Sequence, residues 1–402
     1  MRIEFGRRLH ISMVDQKTSR AGQQREPSEH ANSFGFLRLL FASLVIISHT
    51  PETIDGNRAR EILTIVFRTI SFGEFAVAGF FLISGYLITA SFKRSRTSAS
   101  YLTKRVARIY PAFVCAYLIC ILVVAPLGGA KMPQDAGEYL FVAVRALLLL
   151  PPDVGTVFNG TPYPYLNISM WTISVEFKCY LLVLLIGGLG FLNKRGVVLI
   201  LTALLLLSNL FTGLDYHPYE QAQFWKHAPT FFSLADWNSA LFGNKKDILK
   251  LSSVFLTGSC FYLYREYSVF RFRYVALAFV LLVLALSFDR LAIIGVSLFG
   301  GYLIFAVAEL NKNNRLAGVN NENDVSYGLY LYAFPATKLI VHFLPGLPMV
   351  VVGILTFFIS YGLGWASWFV VEKPIMRRAR RQPEIVPVSG SNDVARASRS
   401  GH

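Results

Sequence analysis

The sequence predicts an all-α membrane protein with about ten transmembrane helices. Of its 402 residues, 54% are hydrophobic and only 16% are charged, well below the quarter of charged residues that is typical of soluble domains. Apolar runs that are long enough to cross a hydrocarbon layer of roughly 30 Å as helices recur along most of the chain. We therefore expect one polytopic domain rather than several soluble ones.

Ten apolar stretches are expected to span the bilayer, with these residue numbers: 34–50, 71–91, 109–127, 169–190, 197–213, 250–265, 274–288, 291–310, 326–343 and 350–371. Both termini are placed in the cytoplasm, because this orientation puts 26 Lys and Arg residues on the inner side and 9 on the outer side, as the positive-inside rule requires. The chain then divides into a polar cytosolic tail, 1–33, a transmembrane domain, 34–375, and a basic, disordered tail, 376–402.

Two segments on the outer side are not expected to span. Residues 138–152 are too few to cross comfortably and include Arg145, so they are predicted to form a re-entrant or interfacial helix. The loop 214–249 is rich in aromatic residues and His. Such a loop fits either an aromatic belt at the membrane interface or a cap that stacks on sugar rings.

The positions of the cysteines and of the basic residues argue against a disulfide-linked or metal-binding protein and against a nucleic-acid-binding protein. The four cysteines fall inside apolar runs without CxxC spacing, so neither a disulfide framework nor a metal site is expected. The net charge of +15 could suggest a nucleic-acid partner. However, the Lys and Arg residues lie between apolar runs rather than on one face with interleaved aromatics, so no nucleic acid is expected to bind.

Arg38 and His49 interrupt the first apolar stretch, FGFLRLLFASLVIISHT. They are eleven residues apart, which is three helical turns, so both lie on nearly the same face at about 16 Å from one another. A charged group at the bilayer centre costs at least about 2.5 to 3.5 kcal/mol, which predicts that this face points into the bundle. The alternatives are an Arg that reaches the headgroups and a His in the outer interface.

Glu176 lies in the fourth stretch, NISMWTISVEFKCYLL, about two turns below the outer surface. Its predicted depth matches that of His49, because the first helix runs outward and the fourth runs inward. The two side chains are therefore predicted to meet as a general base in which the carboxylate holds the imidazole. The alternative is a structural Glu176 that pairs with Lys178.

A basic cluster, KRVARIYPAF, stands at the cytosolic mouth of the third stretch. Lys104, Arg105 and Arg108 are spaced i, i+1 and i+4, so Arg108 shares a helix face with Lys104 and lies close to Arg105. Such a cluster suits phosphate oxygens. It can also be an ordinary membrane anchor under the positive-inside rule.

Six motifs in a fixed order resemble the acyltransferase-3 family of integral membrane O-acyltransferases, over nearly all of residues 34–375. They are Arg38 with ten residues before His49, then GFFLISGYLIT, RVARIYPAF, MWTISVEFKCYLL, VSYGLYLYAFP and VVEKP. The resemblance implies that Arg38, His49 and Glu176 are catalytic. It places acyl-coenzyme A at Arg105 and Arg108, to which we add the neighbouring Lys104.

Four more residues of these motifs are expected to contact substrate: Trp171, Ser174, Tyr180 and Tyr327. Two positions depart from the family. Ala333 stands where many members have a His before the Pro of the ninth-span motif, which argues against a second base there. The last motif reads Glu372, Lys373, Pro374 in place of the family's ERP-like element.

The expected activity is transfer of an acyl group, acetyl first of all, from cytosolic acyl-CoA to a hydroxyl of an extracytoplasmic or lipid-linked saccharide. The resemblance implies exopolysaccharide, lipopolysaccharide or a nodulation-type oligosaccharide as acceptor, and the bacterial inner membrane as location. His49 would either activate the hydroxyl or first accept the acyl group. The alternative is a proton-coupled transporter or flippase with Arg38, His49 and Glu176 as a proton relay. The basic cluster and the lack of an inverted repeat favour the transferase.

Overall fold

The computed structural model describes residues 33–155, 157–212, 244–311 and 314–381. These residues form helices and connecting loops, and they contain no β-strand. The helices longer than five residues are α1 Phe34–Asp55, α2 Ile62–Phe67, α3 Phe72–Arg94, α4 Ser98–Leu127, α5 Ala136–Leu147, α6 Ile168–Gly188, α7 Arg195–Thr212, α8 Lys245–Leu263, α9 Phe272–Leu286, α10 Asp289–Leu310, α11 Ser326–Phe343 and α12, which runs without a break through Met349–Ser367, Trp368–Glu372 and Lys373–Arg381.

Six of the described helices are long and apolar enough to cross a membrane: α1, α3, α4, α6, α10 and α12. Each of the ten predicted spans coincides largely with a described helix. However, α7 and α9 are shorter apolar helices, and α8 and α11 do not meet the same standard of length and hydropathy. The structure therefore supports a multi-pass membrane protein, while the number ten and the cytoplasmic placement of the termini stay predictions.

The structure describes the segments outside the ten predicted spans only in part. Helix α5 has 12 residues, too few to cross a bilayer, which agrees with the predicted non-spanning segment. Most of the aromatic loop and of both tails lies outside the described residues. The predicted disordered tail begins too early, because a helix continues through Lys373–Arg381. Its sequence after Pro374 is made mostly of strong helix formers.

Helix α1 lies inside the bundle, in contact with α3, α11 and α12. Glycines let the surrounding helices come close. A Cβ at Gly85 of α3 would overlap the backbone of α8, and one at Gly258 of α8 would overlap α3. Small residues at helix crossings permit such close packing in membranes. As predicted, the polar face of α1 points into the bundle, since Arg38 pairs with Asp324 in the loop before α11 and the His49 ring packs on Phe334 of α11.

The bundle has two ends that differ in charge. The end at which α3 stops and α4 begins carries Arg94 and Lys104, and we call it the basic end. The opposite end, where α1 stops near Glu52, is called the Glu52 end. Because α1 begins at the basic end and stops at the Glu52 end, Arg38 and His49 belong to different ends of the molecule.

Candidate active site

A cavity of about 940 Å³ opens at the basic end, enclosed by α1, α3, α4, α6, α11 and α12. Its wall holds seven basic residues: Arg38, Arg94, Lys104, Arg105, Arg108, Lys373 and Arg377. Only three acidic residues line it: Glu176, Glu322 and Asp324. Such an excess of positive charge within a partly enclosed space attracts anionic ligands.

Asp324 organises the wall of this cavity. Its Oδ2 lies 3.2 Å from Arg38 and 2.5 Å from Arg108, and Arg108 also lies 3.7 Å from Glu372. Burial alone would raise the pKa of the Asp324 carboxyl, but the two guanidinium groups and hydrogen bonds from Ser326 and Asn320 hold it well below its usual range. Arg38 and Arg108 are thereby tied to a carboxylate in this structure.

Arg105 and Lys104 have no such partner. Among the described residues neither forms an ion pair with a carboxylate, and the Nε of Arg105 has no hydrogen-bond partner. The Arg105 guanidinium lies 5.9 Å from the ring centres of both Tyr101 and Tyr180 and donates to Ser91 Oγ at 3.4 Å. The rings and the serine orient this cation, while its charge stays available to a ligand in the cavity.

Glu176 lies in the cavity wall, and the predicted pair with His49 is wrong. Its Oε1 accepts hydrogen bonds from Ser84 Oγ and Tyr180 OH, both at 2.7 Å. Nor does it pair with Lys178, which forms no ion pair with any described carboxylate. The prediction failed because equal depth along two helices does not bring their side chains together. Glu176 faces the basic cavity, whose lining does not include His49.

His49 has a different carboxylate partner, Glu52, three residues later on the same helix. The Nδ1 of His49 lies 2.6 Å from Glu52 Oε2, while Glu52 Oε1 accepts from Arg58 Nε at 3.0 Å and from Tyr163 OH at 3.3 Å. The Glu52 residue is only 2% exposed. Because a carboxylate accepts at Nδ1, that nitrogen carries the proton and Nε2 is left as a potential base.

The lining of the cavity includes Tyr330 of α11 but neither Phe334 nor His49. At its inner end Tyr330 OH donates to Ser169 O at 2.8 Å and lies 2.7 Å from Thr172 Oγ1. The ring of Phe80 meets that of Tyr330 edge to face at 5.9 Å. Phe334, four residues or about 6 Å farther along α11, contacts the His49 ring at 5.8 Å. This aromatic layer separates the cavity from the imidazole.

The four residues predicted to contact substrate fall in two places. Tyr180 and Tyr327 line the cavity, and the Arg108 guanidinium lies 5.5 Å from the Tyr327 ring centre. Trp171 and Ser174 do not line it. Trp171 instead packs against the small cluster of Tyr163, Ile168 and Phe334 near His49, and Ser174 is buried. A contact with substrate stays a prediction for all four.

Three polar residues of this arrangement escaped the sequence analysis: Glu52, Asp324 and Tyr163. The spacing of Glu52 three residues after His49 was the available signal, since i and i+3 side chains share a helix face. Asp324 and Tyr163 lie in loops between apolar stretches, where an acid or a phenol carries no distinctive pattern. Within the described ranges no cluster of three or more His, Cys, Asp or Glu residues could hold a metal ion.

Comparison with known proteins gives three relatives and one family. The acyltransferase-3 family, described as an acyltransferase domain, matches residues 32–369. An O-acetyl transferase of Shigella phage Sf6 is 25% identical over 369 residues, covering 87% of this chain and 97% of the phage protein. Nodulation protein 10 of Rhizobium leguminosarum bv. viciae is 30% identical over 168 residues, which is 38% of this chain and 43% of the relative.

The third relative, acyltransferase MdmB of Streptomyces mycarofaciens, is 26% identical over 145 residues, which is 35% of each chain. No solved structure matches this chain. The family match covers most of the sequence and includes every helix from α1 to α11. The chain therefore belongs to the acyltransferase-3 family, and it is an O-acyltransferase.

Proposed function

We propose that this enzyme transfers an acyl group, acetyl first of all, from cytosolic acyl-CoA to a hydroxyl of an extracytoplasmic or lipid-linked saccharide. The acceptor class is that expected from the sequence: exopolysaccharide, lipopolysaccharide or a nodulation-type oligosaccharide. The proposed location is the bacterial inner membrane. The observation that carries the proposal is the basic cavity, in which Lys104 and Arg105 have no described carboxylate partner.

The donor fits this cavity by charge and by shape. Coenzyme A carries three phosphate groups at its nucleotide end, and charge-assisted hydrogen bonds from Lys and Arg are the usual means of holding them. Its pantetheine arm is uncharged and slender. With the nucleotide at the mouth near Lys104 and Arg105, the arm would run inward between α3 and α6 and bring the thioester toward Tyr330 and Phe80.

The chemistry is assigned to His49 and Glu52. His49 Nε2 accepts the proton of the acceptor hydroxyl, whose oxygen forms a bond to the thioester carbonyl carbon. The carbon–sulfur bond then breaks, and the coenzyme A thiolate takes the proton back from the imidazolium. Glu52 keeps Nδ1 protonated and stabilises the imidazolium, which is the task of a carboxylate next to a catalytic His. For the thioester to meet His49, the layer of Phe80, Tyr330 and Phe334 must open.

Membrane orientation supports this division of labour. The positive-inside rule places the basic end in the cytosol, where acyl-CoA is available, and the Glu52 end outside, where the saccharide is available. The transporter alternative has no comparable support. Its proton relay needs Arg38, His49 and Glu176 in sequence, whereas each bonds to a different partner: Asp324, Glu52 and Ser84 respectively.

The test uses purified enzyme in vesicles with radiolabelled acetyl-CoA, with and without the surface saccharides of the source strain. We expect label to reach a saccharide in the wild type and not in His49→Ala. Mass spectrometry of glycans from a deletion strain should show the loss of one acyl mass, restored by the wild-type gene. Transfer at the wild-type rate by His49→Ala, or glycans of unchanged mass, would contradict the proposal. Label retained on the protein without acceptor would indicate that His49 first accepts the acyl group.

A further inference from the structure

Lys338 is a fully buried amine on α11 near the Glu52 end. Only 1% of the residue is exposed, and none of the described carboxylates forms an ion pair with it. Its Nζ donates to Tyr163 O at 2.6 Å and to Thr161 Oγ1 at 3.2 Å, and lies 4.7 Å from the centre of the Phe158 ring. An ionisable group without a counter-ion in such a place is costly to bury, so a specific use is expected.

The contacts of Lys338 fix one loop segment, residues 158–163, against α11. Tyr163 is itself 1% exposed, so both its backbone carbonyl and its hydroxyl are held inside the protein. The carbonyl accepts from Lys338, and the hydroxyl donates to Glu52 Oε1 at 3.3 Å. The rings of Tyr163 and His49 both pack on Phe334, each at 5.8 Å. A continuous chain of contacts thus joins the amine to the imidazole.

Glu52 needs such support because Arg58 and His49 compete for its two carboxylate oxygens. Its Oε1 accepts from Arg58 and from Tyr163, and its Oε2 bonds to His49. Arg side chains readily bind both oxygens of a carboxylate at once. If the Tyr163 hydroxyl were lost, the carboxylate could turn both oxygens to Arg58, and His49 would lose the group that orients it.

We propose that Lys338 and Tyr163 are positioning residues for the His49–Glu52 pair. Lys338 anchors the 158–163 segment, and the anchored Tyr163 hydroxyl holds the Glu52 carboxylate with Oε2 toward His49 Nδ1. The proposal rests on the proposed function, in which His49 acts as the base of acyl transfer. It assigns no contact with donor or acceptor to either residue.

The experiment measures steady-state acyl transfer in vesicles as a function of acyl-CoA concentration. The variants are Lys338→Met, which keeps the length of the side chain without the amine, and Tyr163→Phe, which removes only the hydroxyl. We expect kcat to fall at least tenfold in both, with the KM for acyl-CoA within twofold of the wild type, because the donor cavity lies toward the other end. Thr337→Val is the matched control. Thr337 is a buried neighbour on α11 that bonds to Ala333 O and Thr356 Oγ1, and its loss should leave kcat near normal.

The double variant separates positioning from two independent effects. If both residues act through Glu52, the kcat of the Lys338→Met, Tyr163→Phe double variant should be no lower than that of the less active single variant. Losses that multiply would overturn the proposal. A normal kcat in Tyr163→Phe would also overturn the proposal, and this test holds even if Lys338→Met fails to fold. His49→Ala, measured alongside, isolates the proposed function. An active His49→Ala removes the basis of both ideas, whereas an inactive His49→Ala beside a normal Tyr163→Phe rejects positioning alone.

Discussion

The imidazole of His49 lies 2.6 Å from the carboxylate of Glu52 on the same helix. Glu176, the carboxylate that the sequence suggested for this partnership, is bonded to Ser84 and Tyr180 in the wall of the basic cavity. The two acids therefore have different surroundings. Glu52 is placed to orient a base, whereas Glu176 is placed to contact whatever occupies the cavity.

Replacing these acids one at a time should give different kinetic defects. Glu52→Gln keeps the shape of the side chain but can present an amide N–H to Nδ1, which favours the wrong tautomer of His49. We expect kcat to fall about a hundredfold or more, with little change in the KM for acyl-CoA. Glu176→Gln should keep a higher kcat than Glu52→Gln, because Ser84 and Tyr180 still bond to its carbonyl oxygen. Equal losses of kcat in initial-rate measurements would contradict the assignment of Glu52 as the partner.

Arg105 and Arg108 were predicted to act together on the donor, but their contacts now predict different phenotypes. Arg105→Gln removes a cation that has no described carboxylate partner. Its charge-assisted hydrogen bond to a phosphate would contribute roughly 1.5 to 3 kcal/mol. The KM for acyl-CoA should rise about tenfold to a hundredfold, and high donor concentrations should restore the rate.

Arg108→Gln is the comparison variant, since Arg108 is bonded to Asp324 and lies near Glu372. Its main defect should be a lower midpoint of thermal unfolding, because the buried Glu372 loses the guanidinium near it and Asp324 loses one of its two arginine partners. Saturation curves and thermal unfolding of both variants in one detergent make the comparison. A normal donor KM in Arg105→Gln would reject the placement of the nucleotide.

The apolar runs of the sequence predict the helices well, whereas the contacts of individual polar side chains do not follow from hydrophobicity. Every predicted span coincides largely with a helix, because an apolar run of that length has few other ways to satisfy its backbone in a membrane. The first span was predicted to end at residue 50, yet α1 continues to Asp55 with Pro51 inside it. That extension brings Glu52 one turn beyond His49. A proline costs one backbone hydrogen bond, which a packed helix can tolerate.

The charged contacts between distant segments could not be read from the sequence. Asp324 pairs with Arg38 and Arg108, which are more than two hundred residues away. The sequence of the polar loop before α11 does not indicate whether its Asp faces water or two guanidinium groups. Lys338 likewise lay unremarked within the ninth predicted span, because its acceptors belong to the loop around Thr161 and Tyr163.

Asp324 should contribute to stability in a manner that depends on pH. Asp324→Asn leaves Arg38 and Arg108 without a shared carboxylate, and breaking a buried pair costs about 3 kcal/mol or more. Because folding lowers the pKa of this carboxyl, its contribution is fully present above the unfolded-state value of about 3.9 and is lost as pH falls toward the lower folded-state value.

The measurement is thermal unfolding of wild type and Asp324→Asn in detergent at pH 7 and at several values below 4. The difference in midpoint should be large at pH 7 and should shrink on acidification. A small difference at pH 7 would mean that Asp324 is dispensable to the wall of the cavity. A difference that grows below pH 4 would contradict the sign of the pKa shift.

The inner end of the cavity should set the size of the acyl group. Phe80, Thr172 and Tyr330 close that end, so a thioester whose coenzyme A is held near Arg105 would point its acyl chain at the Phe80 ring. Each methylene that a hydrophobic pocket admits or rejects changes specificity by about 10- to 200-fold. Phe80→Ala should therefore raise kcat/KM for butyryl-CoA relative to acetyl-CoA at least tenfold.

Phe75→Ala is the matched control, because Phe75 lies on the same helix and packs on Phe41 at 6.3 Å without lining the cavity. It should leave the ratio unchanged, and an unchanged ratio in Phe80→Ala as well would show that the acyl group does not lie at this end.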